Sequence, residues 1–434
     1  MGKLGWVVAW LLLTPSAWAT QSVWLGQTQS GPLASATEYQ DPQGDGLGEW
    51  GSLQIANRSI LPSSGTVTNL VVLLTVAPQN GAGAQSFTYT LFADGLTTGL
   101  TCAISEDATS CTDTSNTATV SAGQTLSVQS VPANTPTVAI PTWSMVFNST
   151  TTSESVLMAA GTGNSADTRY FKFHGDEGTG STTIATQELV VPTSGTFKNL
   201  YVEKTDPGVG NTFIWTVLEN VSSAGVTCTL TSGQTECSDT TNSFTVVAGD
   251  LVTVQFTQTG TPTASNSNRG ITFVSDTEGE FLFGLSDTGN SCTGAAPCYV
   301  LVAGGNTVDT TTETEVDEVA NAMTMKAIRV VLNTTPGAGN SYDFTLRDDV
   351  AGTALTCQIA DSATTCNLST DVSVALNSLI ATEIQPTSGP SAAALRIGYV
   401  GFLEPATTRR TWLITKKEAP CDSWLRVVPC GFPN

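Results

Sequence analysis

The sequence of 434 residues predicts an all-β chain: three tandem antiparallel β-sandwich modules, jelly-roll-like, stapled by local disulfides. Three observations lead there. A segment of roughly 130 residues repeats three times, apolar residues alternate with period two inside each copy, and cysteines recur in local pairs.

The repeat aligns on a proline turn that precedes an aromatic strand. Asn69-Leu70-Val71 leads to Pro78, then Ser86-Phe87-Thr88-Tyr89-Thr90-Leu91, then Leu100-Thr101-Cys102. Asn199-Leu200-Tyr201 leads to Pro207-Gly208, then Thr212-Phe213-Ile214-Trp215-Thr216-Val217, then Val226-Thr227-Cys228. Ala327-Ile328-Arg329 leads to Pro336-Gly337, then Ser341-Tyr342-Asp343-Phe344-Thr345-Leu346, then Leu355-Thr356-Cys357. The first two copies share a later Thr-Pro-Thr corner at Thr135-Pro136-Thr137 and Thr261-Pro262-Thr263, while the third has Pro386 and Pro390 instead. Phe87, Tyr89 and Leu91 fall on one face of a strand, as do Val252, Val254 and Phe256, with Thr and Gln between them. Such alternation, broken by Gly, Pro or Asn, marks half-buried antiparallel strands. Val316, Val319, Ala320 and Met323 fall at helical spacing within Glu313 to Met325, so a short local helix is expected there. Module boundaries follow at 32–150, 151–277 and 278–407, leaving 20–31 and 408–434 outside the repeat.

The N-terminus reads as a signal peptide over 1–19. Lys3 precedes the apolar run Trp6 to Leu13, and Ala17-Trp18-Ala19 fits a small-x-small cleavage site. That run is shorter than the roughly 20 residues a permanent membrane span requires. The expectation is a secreted or cell-surface protein with no membrane span after cleavage.

The ten cysteines agree with that compartment. Cys102 with Cys111, Cys228 with Cys237 and Cys357 with Cys366 are each nine positions apart, and Cys292 with Cys298 and Cys421 with Cys430 are two more local pairs. Repetition makes local pairing the economical connectivity. A metal site is the competing reading, but His174 is the one histidine and no pair has zinc-knuckle spacing. Closing loops of this size contributes about 2–3 kcal/mol each.

Sixteen basic residues against 37 acidic ones give a net charge of −21, which argues against nucleic acid. A Thr- and Ser-rich, Lys-poor surface suits an extracellular structural, adhesive or binding protein. The repeat resembles jelly-roll-like β-sandwich modules of exported bacterial proteins and of some phage surface proteins, in which a Pro-Gly turn precedes a Tyr/Phe-Thr-Leu strand. The resemblance spans about residues 35 to 403 and implies a fold; it carries over no catalytic or ligand residue, and the stapling cysteines depart from it.

Few residues point to chemistry. His174, in Phe173-His174-Gly175-Asp176-Glu177, is the single candidate base for a nucleophilic triad, and a satisfied or exposed loop histidine is the plainer reading. Glycosidases need two carboxylates; Asp176 with Glu177, Asp276 with Glu278 and Glu280, and Glu315 with Asp317 are candidates, against which stands their reading as solvated loop charges. Asp41, Asp45 and Glu49 surround glycines in a way that would suit calcium, or an ordinary Asp/Gly turn. Trp143 and Trp215 belong to predicted strands and hence to cores, whereas Trp24, Trp412 and Trp424 lie outside the repeat, where aromatic rings would serve polysaccharide recognition. Sequons occur at Asn57, Asn148, Asn220, Asn333 and Asn367.

The C-terminal segment departs from the rest in composition. Arg409, Arg410, Lys416, Lys417 and Arg426 interleave with Trp412 and Trp424, and Cys421 with Cys430 would close a loop. A basic, apolar tail on an acidic body suits docking on an acidic partner or on another copy, or else capping the last module. The functional expectation is a structural or adhesive surface protein, not an enzyme, forming a homo-oligomer or head-to-tail filament through its terminal segments, with Ser22 to Gly26 as one candidate strand donor. A carbohydrate- or ligand-binding protein is the alternative, and a carboxylate-dependent glycosidase a more remote one.

Overall fold

The computed structural model describes residues 21–403 apart from 29, 47–49, 80–82, 152, 162–166, 178, 264, 287–291, 295 and 305–310. The predicted signal peptide and the segment 408–434, with Arg409, Arg410, Trp412, Lys416, Lys417, Cys421, Trp424, Arg426 and Cys430, lie outside the described residues. Regular structure among the described residues is β throughout, apart from three 3₁₀ turns at Gln54–Ala56, Ile184–Thr186 and Glu313–Glu315. The short helix expected near Glu313 is the last of these, and the chain then turns extended.

Eight principal strands build each module. The first has β1 (Gln21–Thr28), β2 (Glu38–Gln40), β3 (Gly65–Leu74), β4 (Ser86–Ala93), β5 (Leu96–Ser105), β6 (Ser110–Asp113), β7 (Thr125–Ala133) and β8 (Pro141–Ser149). The second has β9 (Glu154–Gly161), β10 (Arg169–Phe171), β11 (Gly195–Lys204), β12 (Thr212–Glu219), β13 (Ser222–Thr231), β14 (Glu236–Val246), β15 (Leu251–Thr259) and β16 (Ser267–Ser275). The third has β17 (Glu280–Ser286), β18 (Cys298–Val300), β19 (Met323–Leu332), β20 (Gly337–Asp348), β21 (Ala351–Asp361), β22 (Thr365–Val374), β23 (Leu379–Thr387) and β24 (Leu395–Phe402).

Sheet orders are β1-β8-β3-β6 and β2-β7-β4-β5 in the first module, repeated as β9-β16-β11-β14 with β10-β15-β12-β13 and as β17-β24-β19-β22 with β18-β23-β20-β21. Every connection except the hairpin between the fourth and fifth strands crosses between sheets, which is jelly-roll topology. Phe87, Tyr89 and Leu91 are buried along β4 while the residues between them are half-exposed, as the period-two pattern requires. Cys102–Cys111, Cys228–Cys237 and Cys357–Cys366 are bonded, with Cα atoms 5.7, 5.7 and 5.8 Å apart. Each joins the fifth strand to the sixth, so each staple ties the outer edges of two opposed sheets. Cys292–Cys298 is a fourth disulfide among the described residues.

Within the segment 20–31, Gln21–Thr28 does not stand outside the repeat. β1 pairs antiparallel with β8 from Gln21↔Asn148 to Gln27↔Thr142, as β9 pairs with β16 and β17 with β24. It is the first strand of its own sandwich, so Ser22 to Gly26 is already consumed within the chain. Trp24 is fully buried and stacks on Phe147 at 5.2 Å, a core residue and not an exposed platform.

The modules do not string out in a line. The segment leading into the third strand of each module rests on the eighth strand of another: Ile60 to Pro62 over Gly270, Val190 to Pro192 over Gly398, and Val319 to Asn321 against Thr142 and Ser144. The order is first on second, second on third, third on first. The outward side chains of the first strands obey the same cycle. Val156 and Met158 join the core of the first module, Leu282 that of the second, and Val23 and Leu25 that of the third. Three sandwiches thus close into a pseudo-threefold ring. Covering both faces of a strand removes its alternation, and β9 and β17 are accordingly buried at every residue.

The two-residue turn between β20 and β21 places Asp349 and Val350 at φ 48° and 61°. Both positive angles fit a type I′ hairpin, but a β-branched residue is strained there. Val350 is 61% exposed, so Val350→Gly removes strain and little packing. The expected result is a gain of about 1 kcal/mol in urea unfolding; an unchanged midpoint would contradict the strain argument.

Candidate functional sites at the module junctions

The positions that decide each junction are equivalent under the repeat. Gln54 to Ile60, Ile184 to Val190 and Glu313 to Val319 each begin with a 3₁₀ turn and end in a short strand. Arg58, Glu188 and Asp317 occupy the same place in the three segments.

Between the first and second modules, Arg58 Nε donates to Glu203 Oε2 at 3.1 Å, and Asn268 Nδ2 donates to the same oxygen at 2.7 Å. Between the second and third, buried Glu188 and Arg396 form an ion pair at 2.9 Å. Burial pushes the Glu188 carboxyl up and the Arg396 guanidinium down, and their mutual attraction opposes both shifts. Glycine is required at the centre of both seams: a Cβ on Gly270 would collide with the Ile60 carbonyl, and one on Gly398 with the Val190 carbonyl.

The third junction is built differently. Val319 N donates to Thr142 Oγ1 at 2.8 Å, Asn321 Nδ2 to Ser144 Oγ at 2.9 Å, and Gln27 Nε2 to Glu315 O at 2.6 Å. Asp317 is 5% exposed and neither carboxylate oxygen has a hydrogen-bond partner. It borders a cavity of about 310 Å³ whose lining mixes Leu73, Leu74, Ile140 and Leu379 with Gln27, Thr75, Thr142 and Thr314, but its carboxylate oxygens are closed off from that space. Burial, with Glu313 and Asp349 nearby, pushes its carboxyl up to about 7, against the pull of Arg347. The matching cavity at the first junction, about 390 Å³, is lined by Ile55, Glu203, Lys204 and Asn268. There Lys204 Nζ donates to Ser265 O at 2.6 Å, and burial pulls the amine down to about 7.

Beside Asp317, fully buried Glu318 accepts Val302 N at 2.6 Å and Ala303 N at 3.0 Å on one oxygen, and its other oxygen is unpartnered. Burial outweighs those two bonds and raises the carboxyl to about 8. The folded state therefore holds an extra proton between the unfolded carboxyl's range, near 4.5, and pH 8. The associated stability is fully present below pH 4.5, is lost as pH rises through 8, and stays lost above it. Glu318→Gln keeps the acceptor without the charge. It should match the parent near pH 4 and exceed it at pH 9 by on the order of 5 kcal/mol in chemical denaturation; parallel profiles would contradict the assignment.

The other sequence candidates lie apart. His174 sits where the first strands meet, near Leu25, Leu157 and Leu282, with no partner for either ring nitrogen. Burial, aided by Lys172 and Arg269, pulls it down to about 3, so it is a neutral interior imidazole. Glu280 is held by Lys326 at 2.9 Å and by Thr193 Oγ1 at 2.9 Å, and Asp276 and Glu278 are exposed. The side chains of Asp176 and Glu177 lie outside the described residues. Asp41 Oδ1 accepts Gln43 N at 2.7 Å, an Asx turn, while the side chains of Asp45 and Glu49 lie outside the described residues. No group of three or more potential metal ligands occurs among the described residues. Trp143 and Trp215 are core residues. Asn57 is buried and donates to Leu53 O, whereas Asn220, Asn333 and Asn367 are exposed.

Two structural carboxylates escaped the sequence reading. Asp113 accepts Thr101 N at 3.0 Å and Asn116 N at 3.0 Å, and Asp239 repeats this with Thr227 N and Asn242 N. Burial alone would raise both, but these bonds, with those from Ser115 and Thr241, hold them at about 2. Their signal was an Asp-Thr-x-Asn sequence beginning two residues after the second cysteine in two copies.

No helix among the described residues is long and apolar enough to cross a membrane. No protein-family model matches the chain, and no curated protein matches it.

Proposed function

We propose that the chain is an exported structural or adhesive surface protein in which three jelly rolls form one three-lobed head. The observation that carries this reading is the cyclic set of junctions. The side chains given to the seams are buried ties and glycines, which suit a rigid body, and the disulfides suit an oxidising exterior. The segment 408–434, basic and rich in tryptophan against an acidic body, is assigned the attachment to an acidic partner or another copy. A head-to-tail filament would rely on that segment, because β1 pairs within its own module.

Negative-stain microscopy of the chain, with and without 404–434, tests this. Discrete three-lobed particles are expected from both, with attachment to the producing cell's surface lost on truncation. Equal surface retention of the truncated chain would overturn the attachment role. A second reading, a protein that binds a small extracellular ligand, is favoured by one specific observation, the cavity of about 310 Å³ at the junction between the third and first modules.

A further inference from the structure

Pseudo-symmetry supplies an internal comparison for the outer face of the first junction. The 3₁₀ turn there is flanked by Leu53 and contains Ile55, and the hairpin between β4 and β5 presents Leu96. Hairpin and turn abut, since a Cβ on Gly95 would lie 3.3 Å from Gln54 Oε1. Leu53, Ile55 and Leu96 are 66%, 56% and 72% exposed. Their counterparts are Thr183, Ala185 and Ser222 in the second module and Thr312, Thr314 and Ala351 in the third. Folding of a module therefore does not require large aliphatic side chains at these places. Scattered exposed leucines carry no message, but a gathered set marks an interaction surface.

The same face is acidic. Ile55 lines the cavity of about 390 Å³ together with Thr235, and Glu236 stands exposed beside it. Burial and the charges of Glu203 and Asp94 push the Glu236 carboxyl up, against the pull of Arg58. The counterparts of Glu236 are Ser110 and Thr365, so this charge too belongs to the first junction. Arg58 is already taken up by Glu203, and Lys204 by Ser265. The complement of aliphatic side chains ringed by negative charge is a segment that alternates cations with large apolar groups. The chain carries one in Arg409, Arg410, Trp412, Lys416, Lys417 and Trp424. Drawn out, the stretch 404–434 would span on the order of 100 Å, well beyond the radius of gyration of about 21 Å expected for residues 21–403. Tethering also keeps it at an effective concentration of about millimolar, which favours the chain's own segment over a second copy.

We infer that the outer face of the first junction, built from Leu53, Ile55 and Leu96 with Asp94 and Glu236, is the docking site of the chain's own segment 404–434. Its tryptophans cover the aliphatic side chains and its lysines and arginines meet the carboxylates. The inference rests on the reading of that segment as the chain's docking element, and adds the surface it occupies in the single molecule.

The test is zero-length carbodiimide cross-linking of the full chain under oxidising conditions, read by mass spectrometry. Links from Lys416 or Lys417 to Asp94 or Glu236 are expected. Leu53→Thr with Ile55→Thr introduces the third module's own residues, so the melting temperature should not move while the yield of those links falls about fivefold or more. Glu236→Thr should leave the links to Asp94 alone. Val209→Thr, at a 93% exposed site elsewhere on the second module, is the control and should change nothing. Mixing isotope-labelled with unlabelled chains identifies the source of the segment. Links within one chain are expected; links joining labelled to unlabelled chains would place the segment on a second copy and overturn the proposal. Absence of links to Asp94 and Glu236, or undiminished links in the folded double variant, would overturn it as well. Retention on the producing cell's surface is read separately, so the attachment role can survive the loss of this site, and the reverse.

Discussion

Replacing Gly398 with valine is expected to open the seam between the second and third modules at a loss of about 3 kcal/mol or more. Within its own sandwich the substitution is favourable, since β-branched residues suit strands better than glycine. The penalty comes from outside: the new Cβ meets the Val190 carbonyl, and Pro192 Cδ lies 3.0 Å from it. Neither neighbour can rotate away, because one is main chain and the other a ring locked to it. Thermal unfolding should divide into separate transitions as the third module loses its neighbour. Gly352→Ala is the control, because the atom nearest its Cβ is 3.5 Å away, an ordinary contact. It should be neutral or mildly stabilising. A single unshifted transition in Gly398→Val would mean that the seam contributes nothing.

Removing the charge of Glu188 should cost about 3–5 kcal/mol, because Arg396 would stay buried without its counter-charge. The pair is 2.9 Å apart, with both residues at most 4% exposed. Replacing both by leucine should be nearly neutral, since desolvating the pair consumes most of its attraction. The two junction variants must also couple. Once Gly398→Val has opened the seam, water reaches Arg396, and Glu188→Gln should then have little further effect. Denaturation of the single and double variants reads that coupling directly; strict additivity would place Arg396 outside the seam.

Within a module the fold was legible because its signals are local. Alternation along Phe87, Tyr89 and Leu91, the paired cysteines and the proline turns each report on one strand and its neighbour. The ring was not read, although a trace of it is present. Val156 to Ala160 and Phe281 to Leu285 are almost unbroken apolar runs at the same place in two copies, the pattern of a strand covered on both faces. β1 was missed as a member of the repeat because its polar Gln21, Ser22 and Gln27 disguise the likeness and no proline or cysteine marks it. The site was less legible still. Asp317 is placed beside a cavity with Leu73 and Thr142, about 244 and 175 positions away in sequence, and its counterparts take partners from other modules. No spacing rule connects those positions; closure of the ring does.

Small-angle X-ray scattering of the chain from Gln21 to Leu403 tests the ring most directly. One compact body of that length should have a radius of gyration of about 21 Å, whereas three sandwiches strung end to end would exceed roughly 30 Å. A value near the first, with a single-peaked distance distribution, is the expected result. A value near the second, with a distribution extended over three module lengths, would contradict the ring.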